Sequence, residues 1–431
     1  MNFVKSFFIT SSTTITITVI SFINNVVVTR HLGPEGRGIY TVISNLTLFF
    51  CLLFGEGIRR SNAVIVGKSI ENLGKLFRFL LVHSLFLIIL FSLIFSLAPS
   101  FSHLLPNITS THLLFGLSIA LFTIFWQSVQ ALLLGLQNII SFNLMFLVQT
   151  ITIFCLNLLG VFIFNFDVNG FILSLFISAI LTSLSGYFFL KKYHRFKKIN
   201  SSPILGEYIK VGLKSLVSSF SMFLTLRGDI FLINFFLNPV QAGLYSVAVL
   251  FSEIVQKIPN VIGPLIISKT VVDFSNKPAM NTVRLVRVVF VFNLFVICIL
   301  FFAGDLIIDF LFGVTFKKAY APLEFLLPAL FFIAPGGIIH AYLIGRAYPK
   351  AIVIINVLVA SLNICLNIIF IPQFGIIAAA SISSITYFLW TCSMIVYLKN
   401  QSGFSFNQIF FIRKEDVNYI LKSVRIKKIN S

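Results

Sequence analysis

Apolar runs of roughly twenty residues recur along this whole chain, and that recurrence sets the solvent before any motif is considered. As a helix, such a run covers a hydrocarbon core of about 30 Å. Hydropathy and length mark twelve candidate spans. They fall near 7–28, 38–57, 77–98, 112–135, 140–164 and 170–190, then near 210–236, 243–268, 286–303, 322–344, 351–371 and 376–398. Composition agrees, with 58% apolar residues, 10% charged residues and a mean hydropathy of +1.01. Soluble chains carry about 25% charged residues, and a β-barrel would show strands of about ten residues with alternating polarity. The expected fold class is therefore an all-α integral membrane protein of about twelve transmembrane helices.

The chain also repeats itself. Leu32-Gly33-Pro34-Glu35-Gly36-Arg37-Gly38-Ile39-Tyr40 aligns, 205 positions later, with Leu237-Asn238-Pro239-Val240-Gln241-Ala242-Gly243-Leu244-Tyr245. Leu133-Leu134-Gly135 and Cys155-Leu156-Asn157 align with Leu343-Ile344-Gly345 and Cys365-Leu366-Asn367 at an offset of 210, and Gly170 aligns with Gly375 at 205. A repeat of about half the chain is how many transporters are built. Six spans per copy is an even number, so the two copies are expected to run parallel. The expected division is a first bundle over 1–200, a second over 201–398 and a basic cytoplasmic tail over 399–431.

The net charge of +19 would suggest nucleic acid in a soluble protein; here it is mainly a topology signal and an attraction to anionic lipid. With a cytoplasmic N-terminus, 25 of the 32 Lys and Arg residues fall on the cytoplasmic side. Only Arg30, Arg37, Lys317 and Lys318 fall on the other side, which puts both termini in the cytoplasm. The apolar stretch up to Val28 is longer than a signal-peptide core and lacks a small-x-small cleavage site, so it reads as an uncleaved first helix.

Charges inside spans carry the functional signal, because they are costly there and face a cavity or a partner. Arg227 lies ten residues before the end of its span at Leu237, roughly 15 Å deep. It either lines a cavity or serves structure. Asp229, two residues on, points to a different helix face and is a poor partner within one helix. Lys257 lies at comparable depth with Glu253 four residues earlier, so an internal pair and a substrate role both stay open. Glu56, between Gly55 and Gly57, and Arg59 near the cytoplasmic end complete the candidate lumen set, although Arg59 also suits a boundary anchor. Pro259 and Pro264 in one span, and Pro335, Gly336 and Gly337 in another, are candidate hinges.

No phosphate-cradling Gly motif and no His/Cys metal spacing occur, so no cofactor or metal is expected. Cys51, Cys155, Cys298, Cys365 and Cys392 all lie in apolar runs and read as small hydrophobes.

The motif Arg30-His31-Leu32-Gly33-Pro34-Glu35-Gly36-Arg37-Gly38-Ile39-Tyr40, directly after the first span, resembles the signature of the O-antigen and capsule repeat-unit flippases, the polysaccharide transporters. Arg227-Gly228-Asp229 followed by Gly243-Leu244-Tyr245 resembles its second copy. Arg30, Leu32, Gly33, Gly38, Tyr40, Gly243 and Tyr245 are the residues that carry the likeness. The resemblance implies two six-helix bundles around a V-shaped lumen and alternating access. It implies a cargo of undecaprenyl-pyrophosphate-linked oligosaccharide, moved from the cytoplasmic to the outer leaflet of a bacterial cytoplasmic membrane. Membrane lipids, a coupling proton or sodium ion, a polysaccharide polymerase and a chain-length regulator are the partners it implies, and no nucleic acid. Glu56, Glu253 or Asp229 would carry a coupling proton, and no enzyme activity is expected. A multidrug cation antiporter of the same superfamily and, further off, a membrane polysaccharide polymerase are the alternatives. The first keeps deep carboxylates, whereas here the first span has none and Arg227 and Lys257 lie deep.

Overall fold

Hydrocarbon offers the backbone no hydrogen-bonding partner, so each apolar run must satisfy its own N–H and C=O groups, and a helix does so within the segment. The computed structural model describes residues 3–97, 99, 108–191, 193, 205–272, 277–346, 350–402, 404 and 408–409. These form ten α-helices: α1 (Phe3–Lys68), α2 (Leu73–Leu97), α3 (Ser110–Gly135), α4 (Ile139–Leu159), α5 (Val168–Lys191), α6 (Leu205–Phe236), α7 (Pro239–Val272), α8 (Lys277–Phe312), α9 (Tyr320–Gly345) and α10 (Lys350–Ser402). Polar residues inside them turn back on the helix. The hydroxyls of Thr14, Thr18 and Thr41, for example, each donate to the carbonyl four residues earlier at 2.8 Å.

Two helices are too long to be single crossings. The 66 residues of α1 would reach about 100 Å at 1.5 Å each. Its chain turns at Gly33 (φ +66°, ψ −178°), a backbone region open in practice only to glycine. Pro34 then starts the second limb with a ring suited to a first helical turn. α10 turns likewise at Gly375 (φ +65°, ψ −149°). With these breaks the ten helices make twelve helical segments, in the order of the expected spans. In the second copy of the motif the same turn uses different chemistry. α6 ends at Phe236, and the Asn238 side chain accepts the Gln241 N–H at 3.0 Å ahead of α7. Nine helices among the described residues are long and apolar enough to cross a membrane, and the chain is a multi-pass membrane protein. The expected boundary at 200/201 lies outside the described residues, as does most of the tail from 399.

Helices α1–α5 pack with one another, and so do α6–α10, while α1 also packs on α6 and α7. Each copy repeats a close approach at a small residue. A Cβ on Gly135 would stand 2.7 Å from the Ala63 carbonyl oxygen of α1, and one on Gly345 would stand 3.1 Å from the Ile267 carbonyl oxygen of α7. Between the copies the approach is closer still. A Cβ on Gly38 would run into the Pro239 carbonyl and lie 3.1 Å from Gly243 N. A Cβ on Gly243 would run into the Pro34 carbonyl and lie 3.0 Å from Gly38 N. The two motif copies thus pack reciprocally, α1 against α7.

Gly38→Ala should therefore destabilise the purified protein by about 1–3 kcal/mol through overpacking. Gly116→Ala, where the nearest atom is 3.7 Å away, should be neutral or gain about 0.5–1 kcal/mol from helix propensity. Thermal unfolding in detergent reads both, and equal responses would contradict the reciprocal packing.

Candidate functional site

Charged groups gather beside this joint. Arg227 of α6 reaches Glu253 of α7, with Nη1 2.5 Å from Oε1, and the two side chains keep 25% and 30% exposure. The pair therefore borders an opening rather than a sealed core. Two residues along α6, the other helix face puts Asp229 in the interior of the second half at 1% exposure. Its carboxylate accepts the Tyr245 hydroxyl at 2.5 Å, the Ser383 hydroxyl at 3.2 Å and the Ile230 N–H at 2.9 Å. Arg227 and Asp229 thus make no direct pair, as their spacing requires. Of the two readings open for Lys257, the internal pair with Glu253 does not form. The guanidinium facing it from α6 takes the carboxylate, while Lys257 is exposed and lines a different opening.

Sequence reasoning counted Arg37 as a cation on the outer side; the structure buries it at 6% exposure in the second limb of α1. Its Nε donates to Ser246 Oγ of α7 at 3.1 Å and its Nη1 to Asn25 Oδ1 at 3.0 Å. The guanidinium also sits 5.9 Å from the Tyr40 ring centre. The joint therefore holds two guanidinium groups, Arg37 on neutral partners and Arg227 on Glu253, with the Asp229 carboxylate behind them on hydroxyl partners. One signal for this was present: a proline at 34 suits the first turn of a helix, which places Arg37 within that helix instead of a loop.

Further along the joint, Glu56 is buried and receives Arg59, Arg60 Nε at 2.9 Å and, from α6, the Ser219 hydroxyl at 3.2 Å. Phe49 of α1 meets Phe220 and Phe223 of α6, with ring centres 5.7 and 6.3 Å apart. This seam is closed by aromatic rings. The repeat-related residues Ile254, Ile15 and Thr18 are smaller, and the corresponding seam between the first limb of α1 and α7 leaves an apolar cleft of about 350 Å³. Ile15, Thr18, Lys257 and Ile258 are among its walls.

The candidate hinges come together in part. α7 and α9 continue as helices past Pro259 and Pro335, and a Cβ on Gly337 would stand 2.9 Å from the Pro259 ring. Gly336 sits against Trp390 and Thr391 of α10. The Pro264 side chain lies outside the described residues. Of the motif residues, Gly33, Gly38 and Gly243 make the turn and the close contact, Tyr245 holds Asp229, and Tyr40 faces Arg37. Leu32 is half-buried and packs in the first-half core, whereas Arg30 is exposed and stands apart from the charged group.

The architecture defines a helical, multi-pass membrane protein. Residues 3–267, more than half of the chain, match the family described as polysaccharide biosynthesis protein, and the chain belongs to that family. No curated protein sequence matches it. Among solved structures it is similar to the lipid II flippase MurJ in an inward closed conformation, with a TM-score of 0.71, 16% identity and coverage of 91% of this chain and 87% of that one. It is also similar to an inward-facing multidrug resistance MATE family transporter of the MOP superfamily (TM-score 0.67, 15% identity, 91% and 99% covered). A third likeness is to a MOP superfamily transporter from Pyrococcus furiosus (0.65, 15%, 93% and 96%). At these identities the likeness establishes the fold.

A double-mutant cycle tests the pair at the joint. Arg227→Gln and Glu253→Gln should each destabilise, and the double variant should lose less than their sum by about 0.5–3 kcal/mol. Additive losses in thermal unfolding would show that the two charges do not interact. Tyr245→Phe should cost about 1.5–3 kcal/mol in the same measurement, because the Asp229 carboxylate loses its shortest hydrogen bond.

Proposed function

We propose that this protein is a lipid-linked oligosaccharide flippase that moves undecaprenyl-pyrophosphate-linked repeat units of an O-antigen or capsule from the cytoplasmic to the outer leaflet. The observation that carries the reading is the pair of guanidinium groups at the joint, Arg37 on the neutral partners Ser246 and Asn25 and Arg227 on Glu253 with a quarter of its side chain exposed. A diphosphate or an acidic sugar matches these cations, and planar guanidinium groups suit its oxygens. An incoming anion competes with Glu253 for Arg227. The apolar cleft between α1 and α7 suits a polyprenyl tail that stays in lipid while the head group enters.

Alternating access in this reading is the opening and closing of the joint between halves 1–200 and 201–398, each of six crossings, with both termini in the cytoplasm. The protein acts in the bacterial cytoplasmic membrane and catalyses no covalent chemistry. Polysaccharide polymerase and chain-length regulator act on the product after it crosses. Lumen contacts assigned to Arg227, Lys257, Glu253, Glu56 and Arg59 belong to this proposal. Asp229, buried between Tyr245 and Ser383, is its proton carrier, and Asp229→Asn should make transport by reconstituted protein insensitive to an imposed pH gradient. A gradient response equal to wild type would remove that role.

The leaflet distribution of the lipid-linked glycan in a deletion strain tests the function. Wild type should clear cytoplasmic-face accumulation, and Arg227→Ala should slow clearance roughly 10–100-fold, the worth of a charge-assisted contact of about 1.5–3 kcal/mol. Normal export in the strain without the protein would refute the reading.

A further inference from the structure

On the flank of the first half, away from the joint, α2, α3 and α5 enclose a groove of about 410 Å³. One wall is Phe77, Leu81, Ser84 and Ile88 of α2; the other is Ile180, Leu184 and Tyr187 of α5. None of its lining comes from α1, α6 or α7, so it is separate from the path proposed for cargo. Its serine hydroxyls are turned to the backbone: Ser84 donates to the Leu80 carbonyl at 2.9 Å, and Ser183 to those of Phe122 and Ala179 at 3.0 and 2.8 Å. What the groove presents is hydrocarbon.

Its dimensions and its charges identify an occupant. From Phe77 to Ile88 is eleven residue steps, or about 16 Å of helix, roughly half of a 30 Å hydrocarbon core and so one leaflet deep. Phe77 also shares a buried cluster with Leu190, which brings the start of α2 and the end of α5 to the same end of the groove. Lys191 lies there, one turn beyond Tyr187 on the same face of α5, and Arg78 lies one turn before the lining residue Leu81 on α2. Both are exposed, and neither has a carboxylate partner among the described residues.

We propose that this groove is a binding site for an anionic phospholipid, with one acyl chain between α2 and α5 and the headgroup phosphate held by Arg78 and Lys191. The resident lipid fills the space that the protein leaves open beside α2, whose outward side chains Val82, Leu85 and Ile89 are themselves exposed to the membrane. The charge pair selects anionic headgroups; the groove selects nothing beyond a chain.

Native mass spectrometry of the purified full-length protein, titrated with phosphatidylglycerol or phosphatidylcholine, tests the site. Wild type should retain phosphatidylglycerol preferentially. Arg78→Gln with Lys191→Gln should weaken that lipid by about five-fold per charge removed and leave phosphatidylcholine unchanged. Ser84→Phe, which fills the groove and keeps both charges, should lower retention of both lipids. Equal phosphatidylglycerol retention by wild type and the double variant overturns the proposal, as does unchanged retention in Ser84→Phe. Copurification of a polyprenyl diphosphate that the double variant loses would also overturn it, by assigning the groove to cargo.

Discussion

The reciprocal contact of Gly38 with the Pro239 carbonyl and of Gly243 with the Pro34 carbonyl is the constraint on which the joint depends. Lipid is as apolar as a leucine face, so helices in a bilayer gain little from burying hydrocarbon against each other, and association relies on close packing and polar contacts. Glycine lets the two backbones reach that distance, and any side chain at either position would part them. Arg37 spans the same contact from α1 to Ser246, one turn from the glycines. Loss of the close approach would leave that guanidinium without its partner on α7.

The charges beside the contact follow from the same geometry. A buried guanidinium cannot shed its proton, so it must be paired, hydrogen-bonded or near water. Arg37 takes the second option through Asn25 and Ser246. Arg227 takes the first and third, with Glu253 as partner and a quarter of its side chain exposed. Asp229 instead sits deep in the second half and depends on Tyr245 and Ser383. Its repeat mate in the first half is Asn24, which accepts a bond from Asn157 at 2.9 Å. The ancestral symmetry thus survives in the backbone while one copy carries a charge and the other an amide.

Much of the fold was legible because a bilayer admits few solutions. Span positions follow from apolar length, and the duplication follows from Pro, Gly and Tyr at fixed spacing; both reappear in the helices and in the paired approaches of Gly135 and Gly345. The site was legible only in part. Depth along a helix marked Arg227 and Glu253, but which partner each would meet depends on the rotation of α6 against α7, and a linear count does not carry that angle. The partners of Arg37 are not legible in a count of charges by side, because they depend on the tight turn at Gly33, after which the next helix begins at once and carries Arg37 against α7. The candidate hinge residues lie in helices that run on through them, with Pro259 packed on Gly337 and Gly336 on Trp390. The unequal seams, one closed by Phe49, Phe220 and Phe223 and one left as a cleft, reflect residue size at matched positions.

The most direct measurement is the distance between spin labels at Glu35→Cys and Val240→Cys, exposed residues at matched positions of the two motif copies. If the joint is the moving contact of a two-state transporter, reconstituted protein should show two distance populations. The shorter corresponds to the packed glycines, and the balance between them should shift when lipid-linked glycan is added. A single population, unmoved by that addition, would make the joint a fixed structural seam and contradict the account.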